Sequence, residues 1–343
     1  SAKDRLLLGL APHLVVDGAL ATAEALGAPT VALCVAGPDG RSPERASFDA
    51  AARSLEAAVA ERDTRGVKFA LYRPPHRYVS GESSALARWL HGGPALPETR
   101  RLPLAARGVD GRPTALANAE TFAHVGLLAR HGPAWFRGAG TDEDPGTTLV
   151  TVSGAVSRSV VTEVAFGASV ADVLRAAGGC TDELRAVLVG GYGGTWVTAE
   201  EAAASRIGAR RRPGTLALGP GIVCVLPASA CGLHETARVV RFMAAESAGQ
   251  CGPCVHGLPA LAGALDRLVE PASRADAELA WGQLGRWCGQ IAGRGACNHP
   301  DGVVRLVRSA LDVFADDVAV HHTGVQCGRV RRPPVLAVPE VHR

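Results

Sequence analysis

Large aromatic side chains are scarce in this 343-residue chain, at 4% of residues, and methionine occurs once, at Met243. With few rings to fill a core, helices and strands must pack through Ala, Val, Leu and Gly. The 41 glycines fit that expectation of tight turns and close small-residue contacts. A strong charge of one sign is also missing. The formal net charge is +3, which argues against the basic face of a nucleic-acid-binding protein. No apolar run is long enough to cross a bilayer, and no charged segment leads into a short apolar one near residue 1. Direct membrane insertion is therefore not expected, and any membrane association would run through a partner. A disulfide framework is missing too. The nine cysteines are odd in number and scattered, which points to a reducing, cytoplasmic setting.

What is present is a chain with 47% hydrophobic residues, long enough for two or three packed domains. Residues 13–36 read as a helix ending at Gly27 followed by the short apolar run Thr30-Val31-Ala32-Leu33-Cys34-Val35-Ala36, of the kind buried in a parallel sheet. A turn is expected over residues 37–40. Residues 48–62 repeat at helical spacing and 67–72 read as a second strand. This alternation predicts an α/β layer. Residues 78–85 form a polar loop opening a helix, where exposed backbone N–H groups can hold a phosphate, although an ordinary serine N-cap is the favoured reading. Asn118 and Thr121, at the start of the next helix, can face a ligand or cap that helix.

Residues 137–147 are rich in Gly, Asp and Thr and mark a boundary. Beyond it, two strands, a short helix over 169–177 and a third strand over 186–190 predict a small mixed domain of the β-grasp sort. After residue 228 four apolar stripes at helical spacing predict a helical bundle. Cys251 and Cys254 lie in its first connection, three positions apart around Gly252-Pro253, so both sulfurs can reach one metal or cluster. Cys297, before the last helix, is the proposed third ligand. Zinc is disfavoured by the lack of a second cysteine pair. Gly-Pro between two thiols also has a redox precedent, but one tied to a helix start beside a sheet. Residues 323–343, rich in Pro and Arg, are expected to fray.

Taken in order, these segments resemble the NADH-binding flavoprotein subunit of respiratory complex I (the F-type, 51 kDa-type chain). Related chains occur in NAD-linked hydrogenases. Asp4-Arg5 with Pro12-His13 resembles D-R-x-L…P-H-L. Tyr78-Val79-Ser80-Gly81-Glu82 with Ala85-Leu86 resembles Y-x-C-G-E-E-T-A-L. Pro113-Thr114 through Glu120-Thr121 resembles P-T-x-x-N-N-V-E-T. Glu246-Ser247 through Cys254 resembles E-S-C-G-x-C-x-x-C, and Cys297 sits where the family's distant fourth cysteine does.

The resemblance implies an α/β multidomain chain. Residues 1–140 would form a Rossmann-like FMN/NADH-type domain, 147–228 a β-grasp (SLBB-like) domain, and 229–322 a helical iron–sulfur domain. It implies electron transfer between NADH, FMN and a 4Fe-4S cluster. The implied partner is a ferredoxin-like or other iron–sulfur subunit. Tyr78, Gly81, Glu82, Asn118 and Thr121 would contact FMN or NAD, and Cys251, Cys254 and Cys297 would hold the cluster.

The departures are specific. The family's glycine-rich FMN loop would lie upstream of Ser1, so the first domain is expected to be incomplete. Ser83 stands for the second Glu of G-E-E and Ala117 for the first Asn of N-N. Ala248, with no ligand atom, stands for the first cluster cysteine, and His256, Cys288 and His299 are nearby replacements to consider. The competing expectation is a degenerate scaffold subunit without working FMN or cluster.

Overall fold

A computed structural model of the protein describes residues 1–37, 44–99, 102–330 and 333–339. The turn expected over 37–40 falls mostly outside these ranges. The chain divides into two compact units, Ser1–Leu149 and Val150–Arg343.

In the first unit, α1 (Lys3–Leu10) and α2 (Pro12–Leu26) precede β1 (Thr30–Cys34). Pro12 opens α2, where a missing N–H is harmless, and Gly27 closes it in the left-handed region at φ 64°. Then come α3 (Arg45–Ala60), β2 (Lys68–Tyr72), α4 (Ser83–Leu90) and α5 (Ala119–Phe136). β1 and β2 pair in parallel, from Thr30 opposite Lys68 to Cys34 opposite Tyr72. The α/β reading of this region therefore holds, with a sheet of two strands. Val15, Val16, Leu33, Leu55, Ala51, Ala58 and Ala123 form its core. The aromatic shortage is met at the crossing of α2 and α5, which is built on glycines. A Cβ at Gly18 would lie 1.7 Å from the Phe122 carbonyl oxygen, and one at Gly126 would lie 2.7 Å from that of Leu14. The backbones leave no room for a side chain. Gly18→Val is expected to cost about 3 kcal/mol by overpacking. Urea unfolding measures it, and an unchanged midpoint would mean the crossing opens freely.

The second unit contains most of β3 (Thr147–Gly154), followed by β4 (Val160–Ala165), α6 (Val170–Ala176), β5 (Leu184–Val189), β6 (Thr195–Thr198), α7 (Ala199–Ala204), β7 (Arg206–Gly208), β8 (Thr215–Ala217) and β9 (Ile222–Pro227). Five strands form one sheet in the order β4-β3-β9-β5-β6. β3 runs parallel to β9, while β5 runs antiparallel to both β9 and β6. Helix α6 starts at a capping box, with Ser169 and Asp172 each bonding the other's backbone N–H.

Five helices follow: α8 (Gly232–Ala245), α9 (Leu258–Val269), α10 (Arg274–Ile291), α11 (His299–Val313) and α12 (Ala315–His322). The sheet is buried on both faces. Val187, Val189, Val223 and Val225 pack with α6 residues Val170, Val173 and Leu174. The alternate residues Ala186, Leu188, Cys224 and Leu226 share a second core with Leu233, Leu258, Leu261, Leu284 and Val307 of the helices. That is why residues 186–189 of β5 and 222–226 of β9 read as unbroken apolar runs and not as alternating ones. Trp196 joins the two parts. Its ring meets Phe314 edge-on at 5.1 Å, and its Nε1 donates to Thr236 Oγ1 at 3.0 Å.

The expectation that the tail frays is overturned for its described residues. Leu336 is 4% exposed and Cys327 is 8% exposed. The cause is Glu235, a buried carboxylate on the first turn of α8. It accepts from the backbone N–H groups of Val335 and Leu336 at 2.9 and 3.0 Å, and from Arg238 at 2.8 Å. A buried acid needs such donors, and the tail supplies two of them.

Candidate functional site

Helix α8 ends at Ala245, and Gly249 then turns the chain in the left-handed region at φ 65°. Cys251 follows, and Cys254 lies in a widened helical turn, Pro253–Gly257, that leads into α9. The Val255 N–H donates to the Cys251 carbonyl at 3.0 Å and fixes the loop between the two thiols. Gly257 seats this turn on α10, since a Cβ there would lie 2.7 Å from Ile291 Cγ1. Cys297 comes from a separate connection, just before α11. The Gly293 N–H, which donates to Asp301 at 2.7 Å, folds that connection back on the helix.

Cys251 and Cys297 both come within electrostatic reach of Cys254. Cys254 is buried, and its pKa is pushed up to about 12. Burial is the largest cause, followed by the charge and hydrogen bond of Cys251 and then the charge of Cys297. The Gly249 N–H acts the other way, favouring the thiolate. Such repulsion at the buried Cys254 sulfur is relieved when a cationic centre takes the thiolates. The donor set therefore fits an iron–sulfur cluster on three of its four corners. Ala248, half-buried on the approach to Cys251, offers nothing at the fourth.

The nearby candidates for that missing ligand have different surroundings. His256 is exposed on the widened turn. Cys288 is 3% exposed on α10, inside the shared core. The His299 ring is buried and its Nε2 bonds the Met243 carbonyl at 2.8 Å.

In the first unit, the polar residues expected near FMN sit at helix starts. The Glu82 carboxylate caps α4, accepting from the N–H groups of Ser84 and Ala85 at 2.9 and 3.1 Å and from the Ser84 hydroxyl. The cap is thus Glu82 and not a serine, and the N–H groups thought able to hold a phosphate are taken. Gly81 ends the turn Tyr78–Gly81 with open space where a Cβ would be, and the Tyr78 ring is exposed. Asn118 caps α5, with its Oδ1 accepting from the Thr121 N–H at 3.0 Å and from the Thr121 hydroxyl at 3.2 Å. Glu120 accepts from the Leu149 N–H at 2.6 Å and pairs with the buried Lys3 at 3.0 Å.

Two family models match. Residues 1–127 match the Nuo51 FMN-binding domain, and residues 234–321 match the NADH-ubiquinone oxidoreductase-F iron-sulfur binding region. The chain belongs to the F-subunit family of NADH-quinone oxidoreductases. It is 28% identical over 340 residues to the F 2 subunit of NADH-quinone oxidoreductase from Rhizobium meliloti, covering 95% of this chain and 78% of that one. It is 29% identical over 337 residues to the F subunit of NADH-quinone oxidoreductase from Escherichia coli, covering 92% and 72%. Among solved structures it is similar to an NAD+-reducing [NiFe]-hydrogenase chain, with a TM-score of 0.82 and 27% identity. That match covers 94% of this chain and 54% of the hydrogenase chain, about half its length. Within the F-subunit family, the thiol loop between α8 and α9 and the thiol before α11 both lie inside the matched iron-sulfur region.

Proposed function

We propose that this chain is an electron-transfer subunit that moves electrons between NADH and FMN on one side and a 4Fe-4S cluster held by Cys251, Cys254 and Cys297 on the other. The observation that carries this is the convergence of the three thiols from two separate connections, with Cys254 buried and under the charges of the other two. A bound cluster supplies one-electron chemistry at a potential set by its ligands and burial. The chain's own part is to hold three thiolates around the buried Cys254, with the Gly249 N–H directed at that sulfur. Residues 1–140 would be the FMN-type domain, 147–228 the SLBB-like domain and 229–322 the cluster-bearing helices. The next carrier would be an iron–sulfur partner subunit of the ferredoxin sort, because a single-electron donor needs a single-electron acceptor.

The flavin side rests on the family match, because Glu82, Asn118 and Thr121 commit hydrogen bonds to helix starts. Anaerobic purification with iron and sulfide analysis is the test. About four irons per chain and a cluster EPR signal on reduction are expected. Cys254→Ser and Cys297→Ser should each lose both, while Cys34→Ser, on β1 of the first unit, should keep both. An iron-free wild-type chain would leave only the scaffold reading.

A further inference from the structure

A second group of thiols lies in the same unit and shares no residue with the first. Cys231 Sγ, His321 Nε2 and Cys327 Sγ converge, with their ligand atoms all within 4.8 Å of one another. Cys231 is 1% exposed, His321 is 0% and Cys327 is 8%. Cys231 caps α8, its sulfur accepting from the His234 N–H at 3.4 Å. That sulfur is also 3.4 Å from His321 Nε2, which comes from the last turn of α12. Gly324, at φ 86°, then reverses the chain against the Arg274 backbone, where a Cβ would be 2.5 Å away. The reversal brings Cys327 back to the other two. The Arg329 carbonyl holds the returning segment by accepting from the Cys231 N–H at 2.9 Å.

Two features single this group out from ordinary buried thiols. First, His321 is fully buried, with its Nδ1 beside the Val325 backbone and its Nε2 facing the Cys231 sulfur. A metal-ligating histidine has this arrangement, with one ring nitrogen on the metal and the other oriented by the backbone. Second, the donors are two sulfurs and one imidazole, brought together from the start of α8 and from the segment that ends α12. This soft set suits zinc, and among the described residues no other His, Cys, Asp or Glu group converges so tightly.

The geometry points to a structural zinc site made of Cys231, His321 and Cys327, which staples the segment after α12 to the start of α8. The fourth tetrahedral position is left to an exogenous ligand such as water. Binding deprotonates both thiols and releases two protons to solvent, with no oxidant needed. The site is separate from the cluster proposed above, and either can fail without the other.

Zinc content of the whole 343-residue chain, purified without chelator, is the first measurement. About one zinc per chain is expected, the number one Cys2His site holds. It should persist in Cys254→Ser, which empties the other thiol centre, and fall at least tenfold in His321→Ala and Cys327→Ser. A second measurement does not depend on those variants folding. The Cys254→Ser protein, loaded with Co2+, should show thiolate-to-cobalt charge-transfer absorption and tetrahedral d–d bands that zinc bleaches. Hydrogen exchange over residues 323–339 should quicken severalfold when zinc is chelated. The assignment is overturned by a zinc-free wild type that takes up neither metal. It is equally overturned by zinc that survives His321→Ala, or by a Cys231–Cys327 disulfide in the protein as isolated.

Discussion

Ala248→Cys is expected to turn an oxygen-labile cluster into a stable one. The residue sits three positions before Cys251, as Cys251 sits three before Cys254. In the proposed site, three thiolates would leave one iron of a cubane without a protein ligand, and that iron would be the first lost to oxidation. After brief exposure to air the wild type should keep about three irons per chain, and the Ala248→Cys variant about four, as for a cluster with four cysteine ligands. EPR reads the difference without counting metal, because loss of one iron gives an oxidised signal where the intact cluster is silent. The variant should also have a shifted reduction potential, since a thiolate replaces a neutral or exogenous ligand. If wild type and variant keep the same iron through air exposure, the fourth corner is already filled by another side chain.

Asp317→Ala is expected to be the most destabilising single substitution in the second unit. Asp317 is 1% exposed on α12. Its Oδ2 accepts from Arg185 at 2.8 Å and from the Gly232 N–H at 3.1 Å, while Oδ1 accepts from Arg329 at 2.9 Å. One carboxylate thus joins β5, the first turn of α8 and the segment after α12. It also lies where the N-terminal dipole of α8 favours a negative charge. Removing it leaves the largely buried Arg185 guanidinium with only the exposed Asp316 at 2.7 Å and the Ala230 carbonyl at 2.8 Å, and leaves the Gly232 N–H without its acceptor. Breaking a buried pair from one side costs about 3 kcal/mol or more. Against a total stability of about 5–15 kcal/mol, that shift is large enough to read from a urea midpoint. Added salt should not mimic it, because buried pairs are poorly screened. A loss under about 0.5 kcal/mol, the scale of an exposed pair, would mean water reaches the carboxylate.

Periodicity located most of the architecture. The apolar spacing over residues 48–62 corresponds to α3, and the runs around Val31 and Phe69 are the two paired strands. The stripes at Leu258, Leu284 and Val303 are α9, α10 and α11. The thiol loop was legible because Cys251 and Cys254 are close in sequence, and Cys297 because the resemblance points to it. Strands β6 to β9 and helix α7 were not, being three to six residues long with little repeat to read. The tail misled for a clear physical reason. Its Pro and Arg content resembles a loose end, and nothing local reveals that a carboxylate about a hundred residues earlier is waiting for its N–H groups. Glu82 misled in the same way. A serine next to it has the better capping propensity, but the glutamate reaches two N–H groups at once. The Cys231, His321 and Cys327 trio is invisible in one dimension because 90 residues separate Cys231 from His321. Only the six-residue spacing from His321 to Cys327 hints at it.

The two-sided burial of the five-stranded sheet sets a limit on how this protein can be taken apart. Leu188, Trp196 and Leu226 belong to strands, yet they complete the interior that supports the thiol-bearing loops. The matched iron-sulfur region, 234–321, begins after all of them. Excised on those borders it would lose part of its floor, so the metal-binding segment is not a portable module.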